Sequence, residues 1–272
     1  MRWVWTVPEL RAALSQSRAT RRIGFVPTMG ALHAGHVALF KAARQECDVV
    51  VASIFVNPTQ FNDAADLAAY PRQEDRDGEM AAQAGVDFLF VPKAGDVYRP
   101  GHATSLSMAG AALGFEGDHR PGHFNGVSLV CLKLFNMVQA HAAYFGQKDA
   151  QQVAVVKQLV RDTNLDVDIR VRPTIRDADG LAMSSRNARL SAEERSRALA
   201  IPRALSAGLA ASRRHDDPVM AAARELAGLD VEYLAVTEFD GEPTLVIAAN
   251  LGSARLIDNV PLRHPASAGL QG

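Results

Sequence analysis

Ile23-Gly24-Phe25-Val26-Pro27-Thr28-Met29-Gly30-Ala31-Leu32-His33-Ala34-Gly35-His36 is the stretch on which the reading of this chain turns. An apolar run, Ile23 to Val26, leads into a glycine-bearing loop, and an amphipathic stretch follows from Val37 to Gln45. The order is strand, loop, helix start. His33 and His36 lie three residues apart, so in a helical first turn they share a face. Gly30 and Gly35 let backbone come close to a ligand. A helix N-terminus offers N–H groups and a positive dipole end, both suited to phosphate. Two imidazoles beside it can bind charge that develops on a phosphorus centre. The competing reading is a partial zinc site, but zinc takes three or four ligands and no Cys or His follows nearby at metal spacing. His119 and His123 form a second near pair, with Pro121 and Gly122 between them, which argues against a helical metal face. No residue is assigned to a metal.

Outward from this segment, apolar runs alternate with helical patterns. Val49 to Val56 is apolar and β-branched almost throughout, as in a parallel strand buried on both faces. A helical stretch near Glu74 to Ala84 leads to a strand at Asp87 to Val91. A helix from about Gly126 to Val138 leads to a strand at Ala142 to Gly146. A helix at Asp149 to Thr163 then leads to a strand at Asp168 to Arg172. Repeated strand–helix units predict a parallel, Rossmann-like sheet with helices on both faces. Ligands in such sheets bind beyond the carboxyl ends of the strands. After Thr174 the pattern changes. One helix is expected from Ser191 to about Arg213 and a second from Asp216 to near Gly228. Strands are expected at Val231 to Val236, Thr244 to Ala248 and Arg255 to Asp258, with a turn at Gly241-Glu242-Pro243. The expectation is α/β overall: a catalytic domain over residues 1–174, and a small α+β domain over 175–272 that acts as a lid. The Pro-, Ala-, Ser- and Gly-bearing tail after Arg263 reads as frayed.

Composition narrows the class. A chain of 272 residues with 48% apolar content is ordinary for a globular protein of one large or two modest domains. A net charge of −1 gives no reason to expect a nucleic-acid or membrane-surface binder. No apolar run approaches the roughly 20 residues of a membrane span, and the N-terminus lacks a signal peptide's apolar core. The two cysteines, Cys47 and Cys131, lie in apolar segments and read as buried thiols. A cytoplasmic protein is the expectation.

Four further segments carry candidate chemistry. Asn57-Pro58-Thr59-Gln60 follows the buried strand; its amides can read a hydroxyl or carboxylate without charge, although Asn-Pro also opens ordinary turns. Arg120 lies in the loop Arg120-Pro121-Gly122-His123 and can meet an anion, with His123 read as a helix cap; a solvated arginine is the plainer alternative. Gly146-Gln147-Lys148-Asp149 precedes a helix, with Lys148 as a point charge for phosphate, Asp149 as N-cap, and Gln152 in the first turn. It lacks the spaced glycines of a P-loop, and a plain capped helix reads equally well. Finally, Met183-Ser184-Ser185-Arg186 offers two hydroxyls and a bidentate guanidinium for phosphate oxygens, or else is a polar linker.

Taken together, PTMGALHAGH (27–36), FVNPTQF (55–61), YPR (70–72), RPGHF (120–124), FGQKDAQQ (145–152) and RDADGLAMSSRN (176–187) resemble the pantoate–β-alanine ligase family of the HxGH nucleotidylyltransferase superfamily. The resemblance implies a homodimer with a Rossmann-like domain and a smaller C-terminal domain. It implies ATP-dependent joining of pantoate to β-alanine through an acyl-adenylate, with Mg²⁺ accompanying ATP. It implies that Met29, Gly30, Ala31, Leu32, His33, Ala34, Gly35 and His36 line the ATP site. His36, His33, Lys148 and Arg186 are then the catalytic groups. Gly146, Gln147, Lys148 and Asp149 hold the nucleotide, Ile175 lies against adenosine, and Met183, Ser184, Ser185 and Arg186 form a phosphate-binding segment. Gln60 and Gln152 bind the small substrates, with Asn57, Tyr70 and Arg120 near them. This chain departs from the pattern at Thr59, where an apolar residue is expected, and at Asn125, where many relatives carry arginine. A nucleotidylyltransferase that keeps the nucleotide in its product shares the histidine motif but has no need of Gln60 and Gln152; a non-catalytic nucleotide binder has no need of His33, His36, Lys148 and Ser184–Arg186 together.

Overall fold

The computed structural model describes residues 1–61 and 64–262. In chain order its elements are β1 (Arg2–Val4), α1 (Val7–Leu14), β2 (Ile23–Thr28), α2 (Ala34–Glu46), β3 (Val49–Ile54), α3 (Ala64–Ala69), α4 (Glu74–Gln83), β4 (Phe88–Phe90) and α5 (Ala94–Val97). There follow α6 (Phe115–His119), α7 (His123–Val138), β5 (Ala142–Gly146), α8 (Ala150–Asp162), β6 (Asp168–Arg172), α9 (Ala192–Ala198), α10 (Ala200–Arg213), α11 (Pro218–Glu225), β7 (Asp230–Phe239), β8 (Glu242–Asn250) and β9 (Arg255–Pro261). The chain divides into two compact units, Met1–Gly146 with Gln151–Arg172, and Gln147–Ala150 with Pro173–Gly272.

The first unit is a six-stranded sheet in the order β1-β4-β3-β2-β5-β6, every pair parallel. Alternate side chains divide it into two cores. Phe25, Val49 and Val51 pack in one cluster with Phe135 and Val138 of α7; Val26, Val50 and Ala52 pack in the other with Phe40 of α2. This two-sided burial is why β3 reads as a continuous apolar run rather than an alternating one. Strand order reverses between β2 and β5, so the segments leaving those strands open into the crevice where such sheets bind ligands. β1 and α1 do not stand out as elements in the sequence. They are secured by a capping box, in which the Thr6 hydroxyl accepts from Glu9 N and the Glu9 carboxylate accepts from Thr6 N. Cys47 and Cys131 are buried free thiols, and burial pushes Cys131 up to about 12.

The second unit packs α9 to α11 on the antiparallel sheet β7-β8-β9. The helix expected from Ser191 to Arg213 is two helices. Pro202 cannot donate to the Ala198 carbonyl and its ring crowds that oxygen, so the chain breaks at Leu199. The hairpin turn falls one residue early: Asp240 and Gly241 both take left-handed backbone, at φ 53° and 78°, and Pro243 lies within β8. Gln147–Ala150 belongs to this unit because Asn259 of β9 donates from Nδ2 to the carbonyls of Gln147 and Lys148, at 2.9 and 2.8 Å. Among the described residues no helix is long and apolar enough to cross a membrane. The tail read as frayed lies outside the described residues.

Candidate active site

The histidine loop leaves β2 at Thr28. Gly30 and Ala31 are both left-handed, at φ 80° and 50°, and turn the chain sharply into α2. The helix starts at Ala34, with His36 in its first turn, and His33 takes the N-cap position usually held by Ser, Thr, Asp or Asn. His33 Nδ1 accepts from Gly35 N at 3.1 Å, and His36 Nδ1 accepts from His33 N at 3.3 Å. Any Cβ on residue 35 would meet the His33 ring at 2.8 Å, so Gly35 makes room for the cap. The two rings lie 4.1 Å apart between centroids. Since both Nδ1 atoms accept from backbone, the hydrogen of each neutral ring sits on Nε2. Both rings are therefore Nε2–H donors.

The loop keeps few of its backbone N–H groups open. Gly30 N donates to Thr28 Oγ1, Ala31 N and Leu32 N donate to the two oxygens of Asp77, and His36 N donates to His33 O.

β3 is paired with β2 as far as Thr28↔Ile54, so the segment bearing Asn57 and Gln60 leaves the sheet next to the histidine loop. Asn57 caps a 3₁₀ turn, Pro58–Gln60, and is 1% exposed. Its Oδ1 accepts from Tyr98 Oη at 2.9 Å, Thr59 Oγ1 at 3.1 Å and Thr59 N at 3.3 Å, while Nδ2 donates to Gly126 O at 3.2 Å. The Asn57 amide is thus occupied by protein. Burial pushes the Tyr98 hydroxyl upward in pKa, and its bonds to Thr59 and Asn57 pull the other way. Thr59, the departure from an apolar position, uses its hydroxyl in this network.

Gln60 is different. It is 8% exposed, and its side chain makes no hydrogen bond among the described residues. Its backbone oxygen is held from behind by His123 Nδ1 at 3.2 Å and Arg120 Nη2 at 3.5 Å. His123 is therefore not a helix cap: Gly122 caps α7, and the buried imidazole braces Gln60. Tyr70 packs edge-on to Phe61, the residue after Gln60, with ring centroids 5.6 Å apart. Asn125, where charge is expected, accepts from Met108 N at 2.9 Å and pins the preceding loop.

The adjacent glutamines of α8 divide their labour. Gln151 is buried; its amide donates toward the carbonyls of Ala111, Leu113 and Gly114 and accepts from Glu116 N. Gln152, half-buried, makes no side-chain hydrogen bond among the described residues.

In the second unit, Lys148, Ser184, Arg186, Asn187, Arg255 and Asp258 line part of one shallow cleft. Lys148 Nζ lies 3.7 Å from Asp149 Oδ1. The segment before Ser184 is a built hairpin, not a linker. Arg176 bridges to Ala182, Met183 N donates to Ile175 O at 2.9 Å, and the Arg176 guanidinium grips buried Asp258 at 2.6 and 3.2 Å. Arg195 spans Asp177 and Asp179 at its far end. Ser184 caps the next 3₁₀ turn by accepting from Arg186 N, while Ser185 and Arg186 lie in that turn. Ile175 is partly exposed at the hairpin's start.

A doubly wound parallel sheet with a capped histidine pair at its switch point is the architecture of an α/β enzyme. A family profile described as pantoate-beta-alanine ligase matches residues 2–261. The chain is 48% identical to the pantothenate synthetase of Cereibacter sphaeroides over 94% of this chain and 98% of that protein, and 49% identical to that of Paracoccus denitrificans over 88% and 89%. The crystal structure of pantothenate synthetase from Thermus thermophilus aligns at a TM-score of 0.91 with 41% identity, over 96% of this chain and 99% of that one. A pantoate-beta-alanine ligase from Francisella tularensis, complexed with beta-gamma ATP and beta-alanine, aligns at 0.83 with 36% identity over 98% and 100%. The chain belongs to the pantoate–β-alanine ligase family, and it is a ligase.

Proposed function

We propose that the chain joins pantoate to β-alanine in two steps, through a pantoyl adenylate, and releases pyrophosphate and then AMP. A carboxylate does not acylate an amine at neutral pH because oxide is a poor leaving group. In the first step a pantoate carboxylate oxygen attacks the α-phosphorus of ATP, and the bond to pyrophosphate breaks. In the second the β-alanine amine attacks the acyl carbon, and AMP leaves carrying that oxygen. The observation that carries this reading is the pairing of two Nε2–H imidazole donors with a buried, uncommitted amide on segments leaving neighbouring strands. His33 and His36 are assigned to the charge growing on the phosphoryl oxygens. Gln60 can donate to one small substrate and accept from the other, and Gln152 is assigned to pantoate. Asn57, Arg120 and His123 act by fixing the Gln60 turn. Tyr70 is assigned to the acceptor side.

Lys148, Ser184, Ser185 and Arg186 are assigned to the polyphosphate, with Gly146 to Asp149 and Ile175 on the nucleoside side. Among the described residues no three His, Cys, Asp or Glu side chains gather into a metal cage. Mg²⁺ carried by phosphate oxygens and water requires none. It therefore enters as the partner of ATP, supplying charge neutralisation, and no step is assigned to it. A homodimer in the cytoplasm goes with this reading.

The test is product analysis with ATP, pantoate and β-alanine, omitting each in turn. AMP and pyrophosphate, formed only when ATP and pantoate are both present, are expected. ADP and inorganic phosphate would overturn the adenylate path.

A further inference from the structure

We propose that Asp77 is a positioning residue of the reaction: a buried carboxylate that sets the angle at which His33 and His36 are presented. The proposal rests on the ligase reading above. Asp77 lies on α4 and is 1% exposed, whereas Glu74, Asp75 and Arg76 before it face outward. Its two oxygens each take one N–H of the histidine loop, Oδ2 from Ala31 and Oδ1 from Leu32, both at 2.8 Å. Ala31 has a side chain in left-handed backbone, a conformation that needs outside support. Gly30 has its own left-handed φ, and a Cβ there would stand 2.9 Å from Asp77 Oδ2, so the carboxylate lies flush against the turn.

Two successive N–H groups at the mouth of a strand–helix turn form a concavity that attracts anions. Here a carboxylate of the protein already fills it. Two consequences follow. Phosphate cannot settle on the Ala31 and Leu32 N–H groups. And the chain between Leu32 and the His33 cap is fixed at its base, which fixes where both Nε2–H bonds point.

The experiment uses the full chain with Asp77→Asn and Asp77→Ala beside wild type, read by steady-state kinetics and urea unfolding. The Asn variant keeps the shape but offers one acceptor and sets an NH₂ against a backbone N–H. A misplacement on the order of 1 Å costs about 10²-fold in turnover, so kcat falls roughly 10–100-fold. The KM values for pantoate and β-alanine stay within about twofold, since Gln60 stands on a different turn. Formate, a carboxylate small enough for the vacated space, raises kcat of the Ala variant at least fivefold and leaves wild type and the Asn variant unchanged. A folded Asn variant with kcat within twofold of wild type overturns the proposal. So does an Ala variant that ignores formate, or variants that fail to fold or lose every KM in step with kcat, since those results make Asp77 a folding residue only. Failure of the ligase reading is visible separately, in wild type that makes no AMP and pyrophosphate from ATP, pantoate and β-alanine together, and it would remove this proposal with it.

Discussion

Asn57→Ala removes four hydrogen bonds at once: three accepted by Oδ1, from Tyr98 Oη, Thr59 Oγ1 and Thr59 N, and one donated by Nδ2 to Gly126 O. Each bond is worth about 0.5–1.5 kcal/mol net, and shared acceptors are not additive, so the variant should lose about 2–4 kcal/mol. At about 2–4 °C per kcal/mol, the melting transition of the first unit should fall by roughly 4–16 °C. Tyr98→Phe deletes only one of the four and should cost about 1 kcal/mol. Asn57→Asp keeps the acceptor but turns a carboxylate oxygen toward the Gly126 carbonyl, so it should be no more stable than alanine. Urea unfolding followed by far-UV circular dichroism gives all three values. Turnover should fall with Asn57→Ala even well below its melting temperature, because Gln60 rides the same turn. An Asn57→Ala protein within about 0.5 kcal/mol of wild type would refute the view that this amide is a structural keystone, and would return it to the list of substrate contacts.

Three other expectations follow from the same geometry. Gln151→Ala strands three carbonyls and one N–H and should cost about 2–4 kcal/mol in urea unfolding; Gln152→Ala should unfold like wild type yet lose at least about tenfold in kcat/KM for pantoate. His36→Ala should lower kcat by about 10²–10³, the loss typical of one transition-state donor, in a protein that circular dichroism finds folded. Backbone N–H bonds from Ser191 and Ser253, with the Ser253 hydroxyl, hold the Glu194 carboxyl down to about 2, below its ordinary 4.5. Its contribution to stability is therefore complete above about pH 4.5 and is lost as pH falls toward 2; Glu194→Gln should flatten the stability–pH curve across that interval and leave the neutral range with no such slope.

Where burial is two-sided or periodicity strong, the elements can be read directly: β2, β3 and β5 are apolar runs because helices cover both faces of a parallel sheet. β1 has only three residues, too few to show a period, and α1 is legible only through the Thr6–Glu9 box. The break at Leu199 has a signal, Pro202, whose effect reaches back four residues to a carbonyl. The side chains of the site are legible by type but not by commitment. Nothing in Gln151-Gln152 tells which amide is committed to three loop carbonyls, and nothing in Asn57 or His123 tells that they brace Gln60 instead of facing a ligand. Asp77 carries no signal among Glu74, Asp75 and Glu79, because its role depends on a loop 45 residues away in sequence. Such commitments are set by tertiary contact, and only the fold reveals them.

The central claim is that the pantoate carboxylate becomes the link to AMP, and its own oxygen reports this. Pantoate labelled with ¹⁸O in the carboxylate, turned over with ATP and β-alanine, should give AMP carrying one ¹⁸O on phosphorus, seen in the ³¹P spectrum. Unlabelled AMP, or label recovered in inorganic phosphate alongside ADP, would contradict the account.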